Sequence, residues 1–303
     1  MTPEISIVIP TINRYNDLKN TLNDLSKQSF KNFEIIVIDQ TEENITQEIT
    51  HEKTLHFLRS YKSASKARNE GLLLAKSPVL LYLDDDVLIK NKDFIKNHIN
   101  HFKDKKVSGV AGAILDLNGK TTSKLPRNES RKHLGWLYFP RNYTKLYKVR
   151  GGGSGNLAVR KDWAIDVGGM DENYDKGAYR EESDFCIRYT DKYGKLIFDP
   201  AADLVHIGSP TGGTREWKNS NGIVHAQQHM FGAWYFMFMQ LPLISWPEYA
   251  YITTRRFILH KKLMIRFYLW PSAIYRFTTA FFMAIYTAIK GPVHINLSDD
   301  YYQ

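Results

Sequence analysis

The sequence predicts an α/β fold with a mostly parallel central sheet flanked by helices, followed by a helical C-terminal extension. Three observations carry this. Short runs rich in β-branched residues alternate with helix-spaced leucines through the first half of the chain. That alternation implies right-handed βαβ crossovers and a parallel sheet. Three consecutive aspartates, Asp84, Asp85 and Asp86, stand at the exit of the apolar run Val79–Leu83, where open α/β sheets bind their ligands.

The elements follow in order. Ile5–Pro10 reads as a strand, and Tyr15–Lys27 as a helix with Leu18, Leu22 and Leu25 on one face. Phe33–Ile38 is a second strand ending on Asp39, and Leu55–Arg59 a third. A helix over Ser65–Ala75 leads to Val79–Leu83, whose lack of charged side chains marks a strand buried on both faces. Val107–Leu115 reads as a later strand nearer an edge. Residues 116–150 show no period and carry Lys120, Lys124, Arg127, Arg131, Lys132 and Arg141, which fits a lid or substrate-specific segment, with partial disorder as the alternative. Order resumes at Gly151-Gly152-Gly153-Ser154-Gly155-Asn156, before a strand at Leu157–Arg160 and a helix from Asp162. This glycine run lacks the Gly-Lys-Ser/Thr ending of a phosphate loop and the context of a dinucleotide fingerprint, so it reads as glycine-rich and nothing more.

A length of 303 residues allows one large domain with an appendage, divided here into residues 1–220 and 221–303. Cys186, the single cysteine, cannot form an intrachain disulfide, which fits a reducing compartment. The first residues lack a basic leader with a long apolar core, so a cytoplasmic location is expected. Net charge is +9 but uneven: Tyr249–Ser298 holds seven basic residues and no acid, leaving +2 for the rest.

Three adjacent carboxylates repel one another, and a divalent cation would relieve the repulsion. Oxygen ligands at this spacing suit Mg²⁺ or Mn²⁺, with substrate phosphates completing the shell. A solvated acidic turn is the competing reading. Other elements lie in register with this cluster: Asp39 at a strand end, Ser65-Lys66-Ala67-Arg68-Asn69-Glu70-Gly71, Gly153–Asn156, Gly168-Gly169-Met170-Asp171-Glu172, Glu181-Glu182-Ser183-Asp184 with Arg188, and Asp199-Pro200 leading to His206. In order and spacing, over roughly residues 4–215, the chain resembles the inverting glycosyltransferases of family 2, of the bacterial cell-surface polysaccharide type, which have the GT-A fold.

The resemblance implies a role for each matching position. Asp39 would accept hydrogen bonds from the nucleotide base, although Gln40 stands where the family has a second Asp. Arg68 would lie against the nucleotide, Asn69 would brace the helix start, and Pro10, Thr11 and Asn156 would line the donor site. Asp84 and Asp86 match the ends of an Asp-x-Asp motif, with Asp84 toward the ribose and metal and Asp86 on the cation. Asp85 lies between them as a supporting residue, and His206 would complete the metal shell. Glu182 matches the catalytic base, one methylene longer than the usual Asp, with Glu181 as its rival. Asp184 and Arg188, i and i+4 on a helix, read as an ion pair. Gly155 and Asn156 would let backbone approach the donor sugar or acceptor.

Ala226–Pro247 has no charged residue and six aromatic ones, but its glutamines and prolines argue against a spanning helix. Phe277–Ile289, between Arg276 and Lys290, is too short to span. Apolar aromatic stretches flanked by Lys and Arg fit helices lying on an anionic membrane face. Packing on the catalytic core or in a homo-oligomer is the alternative. His225 and His229 read as buried or interfacial in preference to metal-binding. The basic residues are interleaved with aliphatic runs, which argues against nucleic acid.

The leading expectation is a metal-dependent inverting transferase that moves a sugar from a nucleoside-diphosphate sugar to a saccharide or lipid-linked glycan. A nucleotidyltransferase would instead release pyrophosphate from a nucleoside triphosphate. A catalytically silent membrane-bound binding module would bind the nucleotide sugar without turnover.

Overall fold

The computed structural model describes residues 2–43, 46–47, 49, 51–125, 141–175, 179–209, 212–213 and 223–295. In chain order the elements are β1 (Ile5–Thr11), α1 (Tyr15–Ser26), β2 (Phe33–Asp39), β3 (Thr54–Leu58), α2 (Ala64–Leu74), β4 (Val79–Leu83), β5 (Val87–Leu88) and α3 (Phe94–His101). They continue with β6 (Gly109–Leu115), β7 (Tyr147–Val149), β8 (Asn156–Arg160), α4 (Lys161–Asp166), α5 (Glu181–Tyr193) and β9 (Leu196–His206). The extension holds α6 (Gln227–Gln240), α7 (Trp246–Phe257), α8 (Lys261–Met264) and α9 (Trp270–Lys290).

One sheet organises the first two-thirds of the chain, in the order β3-β2-β1-β4-β8-β6-β9-β5, with β7 pairing β9. The first four strands are parallel, with Ile7 beside Ile35 and Leu81. Antiparallel β8 joins β4 to β6, and β6 then runs parallel to β9. The expected strand Val107–Leu115 is therefore interior and not near an edge, because β8 and β9 cover both its sides.

Alternation along the parallel strands fills two cores. Ile5, Ile7 and Ile9 face α1 through Leu18, Leu22 and Leu25. Val8, Ile36, Leu80 and Tyr82 point to the other face, against Leu72 of α2 and Phe185 of α5. Helix α2 starts where Ser63 accepts a hydrogen bond from the Lys66 amide.

The extension builds a third core. Trp234 of α6 packs on Phe277 and Phe281 of α9, each at 5.1 Å between ring centres. Met230 through Met237 are all buried, so the uncharged stretch after Ala226 is an interior helix and not one lying on a surface. Polar contacts fasten the extension to the first part: Tyr235 donates to Asp171 (2.7 Å), Gln240 to Asp184 (2.6 Å) and the Ile295 amide to the Gly168 carbonyl (2.9 Å). No helix among the described residues is long and apolar enough to cross a membrane. Of the expected lid, residues 126–140 lie outside the described part, and with them Arg127, Arg131 and Lys132. Its two ends meet at a bridge between Thr122 and Tyr143.

Candidate active site

The chain leaves β1 toward β2 on one side and returns to β4 on the other, so the crevice between β1 and β4 is a topological switch point. A cleft of about 600 Å³ opens there, at the carboxyl ends of the parallel strands. Every residue of β4 is apolar or aromatic and buried, so the first charges to emerge are Asp84, Asp85 and Asp86.

The three carboxylates point to different partners. Asp85 turns inward and accepts hydrogen bonds from Thr11 Oγ1 (2.7 Å) and Arg14 Nη1 (3.2 Å). Burial pushes it up to about 7, with Arg14 and Thr11 opposing that shift. Asp86 is only 1% exposed; it accepts from Arg14 Nη1 (3.1 Å) and the Ser209 amide (3.0 Å) and lies 3.3 Å from His206 Nε2. Burial favours its protonated form, but His206, Arg14 and the Ser209 amide together hold its carboxyl below the ordinary range. Asp84 is half-buried, 3.1 Å from Arg68 Nη2 and 3.9 Å from His206 Nε2.

Asp84, Asp86 and His206 each offer one ligand atom within 4.8 Å of the others. Two carboxylate oxygens and one imidazole nitrogen fit Mn²⁺ or Mg²⁺ with phosphate oxygens added. A second observation concerns the cradle. A Cβ at Gly155 would sit 2.3 Å from Asp84 Oδ2, so only glycine leaves room for this carboxylate. The whole run from Gly151 through Gly155 lines the cleft.

Glu181 and Glu182 open α5 and differ in surroundings. Glu181 is buried and accepts from Ser65 Oγ (2.8 Å) and Arg68 Nη1 (2.5 Å). Burial raises its pKa, Arg68 opposes this, and Glu182 adds to it. Glu182 is half-buried on the cleft wall, and no hydrogen bond from the described residues holds its carboxylate. Glu181 is thus held as a brace, whereas the Glu182 carboxylate stands on the cleft wall without such a bond. Arg180, just before them, has a φ of 85°, a left-handed conformation unusual for a residue with a side chain. This joint sets the direction in which the helix presents Glu182.

Several expected site residues lie elsewhere. Asp39 is fully buried, and its carboxylate accepts from Tyr15 Oη (2.6 Å), His56 Nε2 (3.0 Å) and the Thr41 amide (2.9 Å). It is not on the cleft wall; Gln40 is, with its Oε1 accepting from the Ser63 amide. Asn156 is also buried, donating to the Ala113 and Ala202 carbonyls while its Oδ1 lies 2.8 Å from His98 Nε2. It staples the sheet and does not face the cleft. Asn69 braces the Gly168–Glu172 turn, through Met170 and Glu172, in place of its own helix start. Pro10, Thr11 and Arg68 do line the cleft, and Arg188 pairs with Asp184 at 2.8 Å.

Arg14 is the central residue that the sequence did not single out. It bridges Asp85 and Asp86, and Gly213 packs on its guanidinium. A lone basic residue after a strand carries no motif. The one local sign, Asn13 at a φ of 56°, is visible only in three dimensions.

Residues 6–168 match the sequence profile of the family described as Glycosyl transferase family 2. Shorter segments match curated relatives. One is a GalNAc(5)-diNAcBac-PP-undecaprenol beta-1,3-glucosyltransferase from Campylobacter jejuni, 30% identical over 92 residues, which are 28% of this chain and 30% of that protein. Another is a validoxylamine A glucosyltransferase from Streptomyces hygroscopicus, 34% identical over 95 residues, 28% of this chain and 22% of the relative. The matches thus span less than a third of either relative. Among solved structures, a mannosyltransferase from Pyrobaculum calidifontis in complex with GDP-Man and Mn²⁺ superposes with a TM-score of 0.54. It is 14% identical, over 96% of this chain and 76% of the other. At that identity the likeness concerns the fold.

Proposed function

The chain belongs to glycosyltransferase family 2, and we propose that it is a metal-dependent inverting transferase using a nucleoside-diphosphate sugar. The observation that carries this reading is the convergence of Asp84, Asp86 and His206 on the cleft wall that Glu182 also lines. A divalent cation held by these three would stabilise charge on the departing diphosphate.

The chain's own residues supply the rest. Glu182 takes the proton of the acceptor hydroxyl as its oxygen bonds to the anomeric carbon. The bond from that carbon to the phosphate oxygen breaks on the opposite face, and its electron pair leaves with the nucleoside diphosphate. Arg68 orients Asp84, and Arg14 orients Asp85 and Asp86, through these ion-pair contacts. Pro10, Thr11 and Gln40 line the nucleotide side of the cleft.

The acceptor is a saccharide or lipid-linked glycan of a cell-surface polysaccharide, met at the cytosolic membrane face. Phe267 (77% exposed) and Ile289 (80%) stand with Ile265, Tyr268 and Phe282 on the surface of the basic extension, which supports peripheral contact with anionic lipid. Co-sedimentation with anionic but not neutral vesicles is expected, and equal recovery with both would remove this part of the reading. The transferase itself is tested by a thermal-shift panel of UDP, GDP and dTDP sugars with and without Mn²⁺. One sugar nucleotide is expected to stabilise the protein in a Mn²⁺-dependent manner that Asp86→Asn abolishes. A full response in that variant would refute the metal assignment.

A further inference from the structure

The end of the cleft built by the extension has a chemistry of its own. Its wall carries His225, His229 and Arg256, beside Arg180 from the joint before α5. Arg180 and Arg256 both lie over the Tyr179 ring, at 4.4 and 4.6 Å from its centre. The His225 ring is 5.8 Å from that of His260. Arg256, His229 and His260, all basic, act electrostatically on His225. Among the described residues, Glu182 is the leading carboxylate acting on Arg180.

Two further features mark this wall as built for an anion. Arg180 Nε on this wall, and Nε2 of His260 beside His225 and outside the cleft lining, are buried without a hydrogen-bond partner, and buried polar groups are rarely left so. The first turn of α6, flanked by His225 and His229, has Ala226 at its N-cap and no side-chain cap. Its amides and the positive end of the helix dipole therefore add to the same field. Burial, with Arg256 next, pushes His225 down to about 4, so at neutral pH it serves as an uncharged donor beside permanent guanidinium charge.

Resting on the transferase reading, we propose that His225, His229, Arg180 and Arg256 form an acceptor-side subsite for a phosphate group. The acceptor would then carry a phosphate or diphosphate next to the sugar that is extended. The acidic wall at Asp84–Asp86 selects a cation and the donor, whereas this opposing basic wall selects an anionic acceptor. Glu182 lines the same cleft and lies in the electrostatic reach of Arg180. The phosphate can belong to a lipid carrier or to a soluble phosphorylated saccharide, and the two differ in whether an alkyl chain adds affinity.

The test is calorimetry on the full chain with inorganic phosphate and with octyl phosphate. Chelator is present, so that no metal at Asp84 and Asp86 can hold either probe. Wild-type protein is expected to bind octyl phosphate, and His229→Gln/Arg256→Gln to bind it at least tenfold more weakly, the factor that about 1.4 kcal/mol represents. Arg256→Lys, which keeps the charge, should retain most of the affinity and exclude misfolding as the cause. Tighter binding of octyl phosphate than inorganic phosphate assigns a lipid carrier; equal binding assigns a soluble phosphorylated acceptor. The proposal is overturned if the wild type binds neither probe, or if the double variant binds as the wild type does. It is also overturned if the double variant loses nucleoside diphosphate with Mn²⁺ to the same degree, since the wall would then serve the donor. Absence of any UDP, GDP or dTDP binding with Mn²⁺ by the wild type would instead defeat the transferase reading.

Discussion

Replacing Arg68 by Met should expose how the site is held together. The Arg68 and Glu181 side chains are 5% and 8% exposed, and the pair is the chief compensation for a carboxylate inside the protein. Removing one member of such a pair destabilises by roughly 3–5 kcal/mol, because the other is left as a buried charge. Glu181 keeps the Ser65 hydroxyl, and its pKa, already raised by burial, can rise further until it takes up a proton. Both effects place the loss near the lower bound, about 3 kcal/mol. The Asp84 contact adds about 0–1 kcal/mol, since that carboxylate is almost a third exposed. A domain of this size loses roughly 2 °C of Tm per kcal/mol, so a fall of about 6 °C is expected. Arg68→Met/Glu181→Gln removes both charges and should recover about 2 kcal/mol of coupling in a double-mutant cycle. The Met variant should also bind Mn²⁺ more weakly, because Asp84 loses the guanidinium that orients it. Additive single effects, or a Tm change below about 1 °C, would refute the claim that this pair braces the site.

Three other outcomes follow from the geometry. Glu182→Gln should lower transfer by about 10²–10⁴-fold with nucleoside-diphosphate binding intact; retention of most activity would move the base elsewhere. Gly155→Ala puts a Cβ against Asp84 Oδ2 and should weaken Mn²⁺ binding by about 10–100-fold in a metal titration, so unchanged affinity would exclude Asp84 as a ligand. His98 is buried, and burial pushes it down to about 4 from 6.5. The unfolded chain therefore binds more protons than the folded one between these values, and stability falls as pH drops from 6.5 toward 4 and no further below it. The contribution is about 3 kcal/mol over that window, and His98→Gln should flatten this part of the pH–Tm curve; an unaltered slope would assign it to other groups.

Most strands that the sequence revealed are buried on both faces, with the half-exposed edge strand β3 as the exception. β1, β2 and β4 have continuous apolar runs because parallel neighbours and helices cover them completely. β5 and β7, of two and three residues, are too short to carry a period. β9 carries no continuous run, since Asp199-Pro200 interrupts its alternation. The pairing with β6 shifts register between Gly112 and Ile114, and Gly112 is pressed against the Ala202 carbonyl and Asn156. The interior position of β6 was likewise hidden, being decided by β8 and β9, which follow it in the chain.

The site divides along the same physical line. Asp84 and Asp86 stood out in the sequence because carboxylates at a buried strand's exit are costly unless something uses them, and the structure brings His206 beside them. Glu182 was separable from Glu181 only once Arg68 and Ser65 were seen to occupy the latter. Asp39 and Asn156 obey a related rule: a buried polar group must find partners, and theirs lie within the protein. A polar residue at a strand end can therefore be a ligand or a staple with the same sequence signature, and its partners decide which. By that criterion the basic wall of His225, His229 and Arg256 is the informative remainder. In the sequence it was an aromatic, basic tail whose positive charge pointed outward to a membrane. Folded, part of that charge turns inward to the cleft, where the buried Nε of Arg180 still lacks an acceptor.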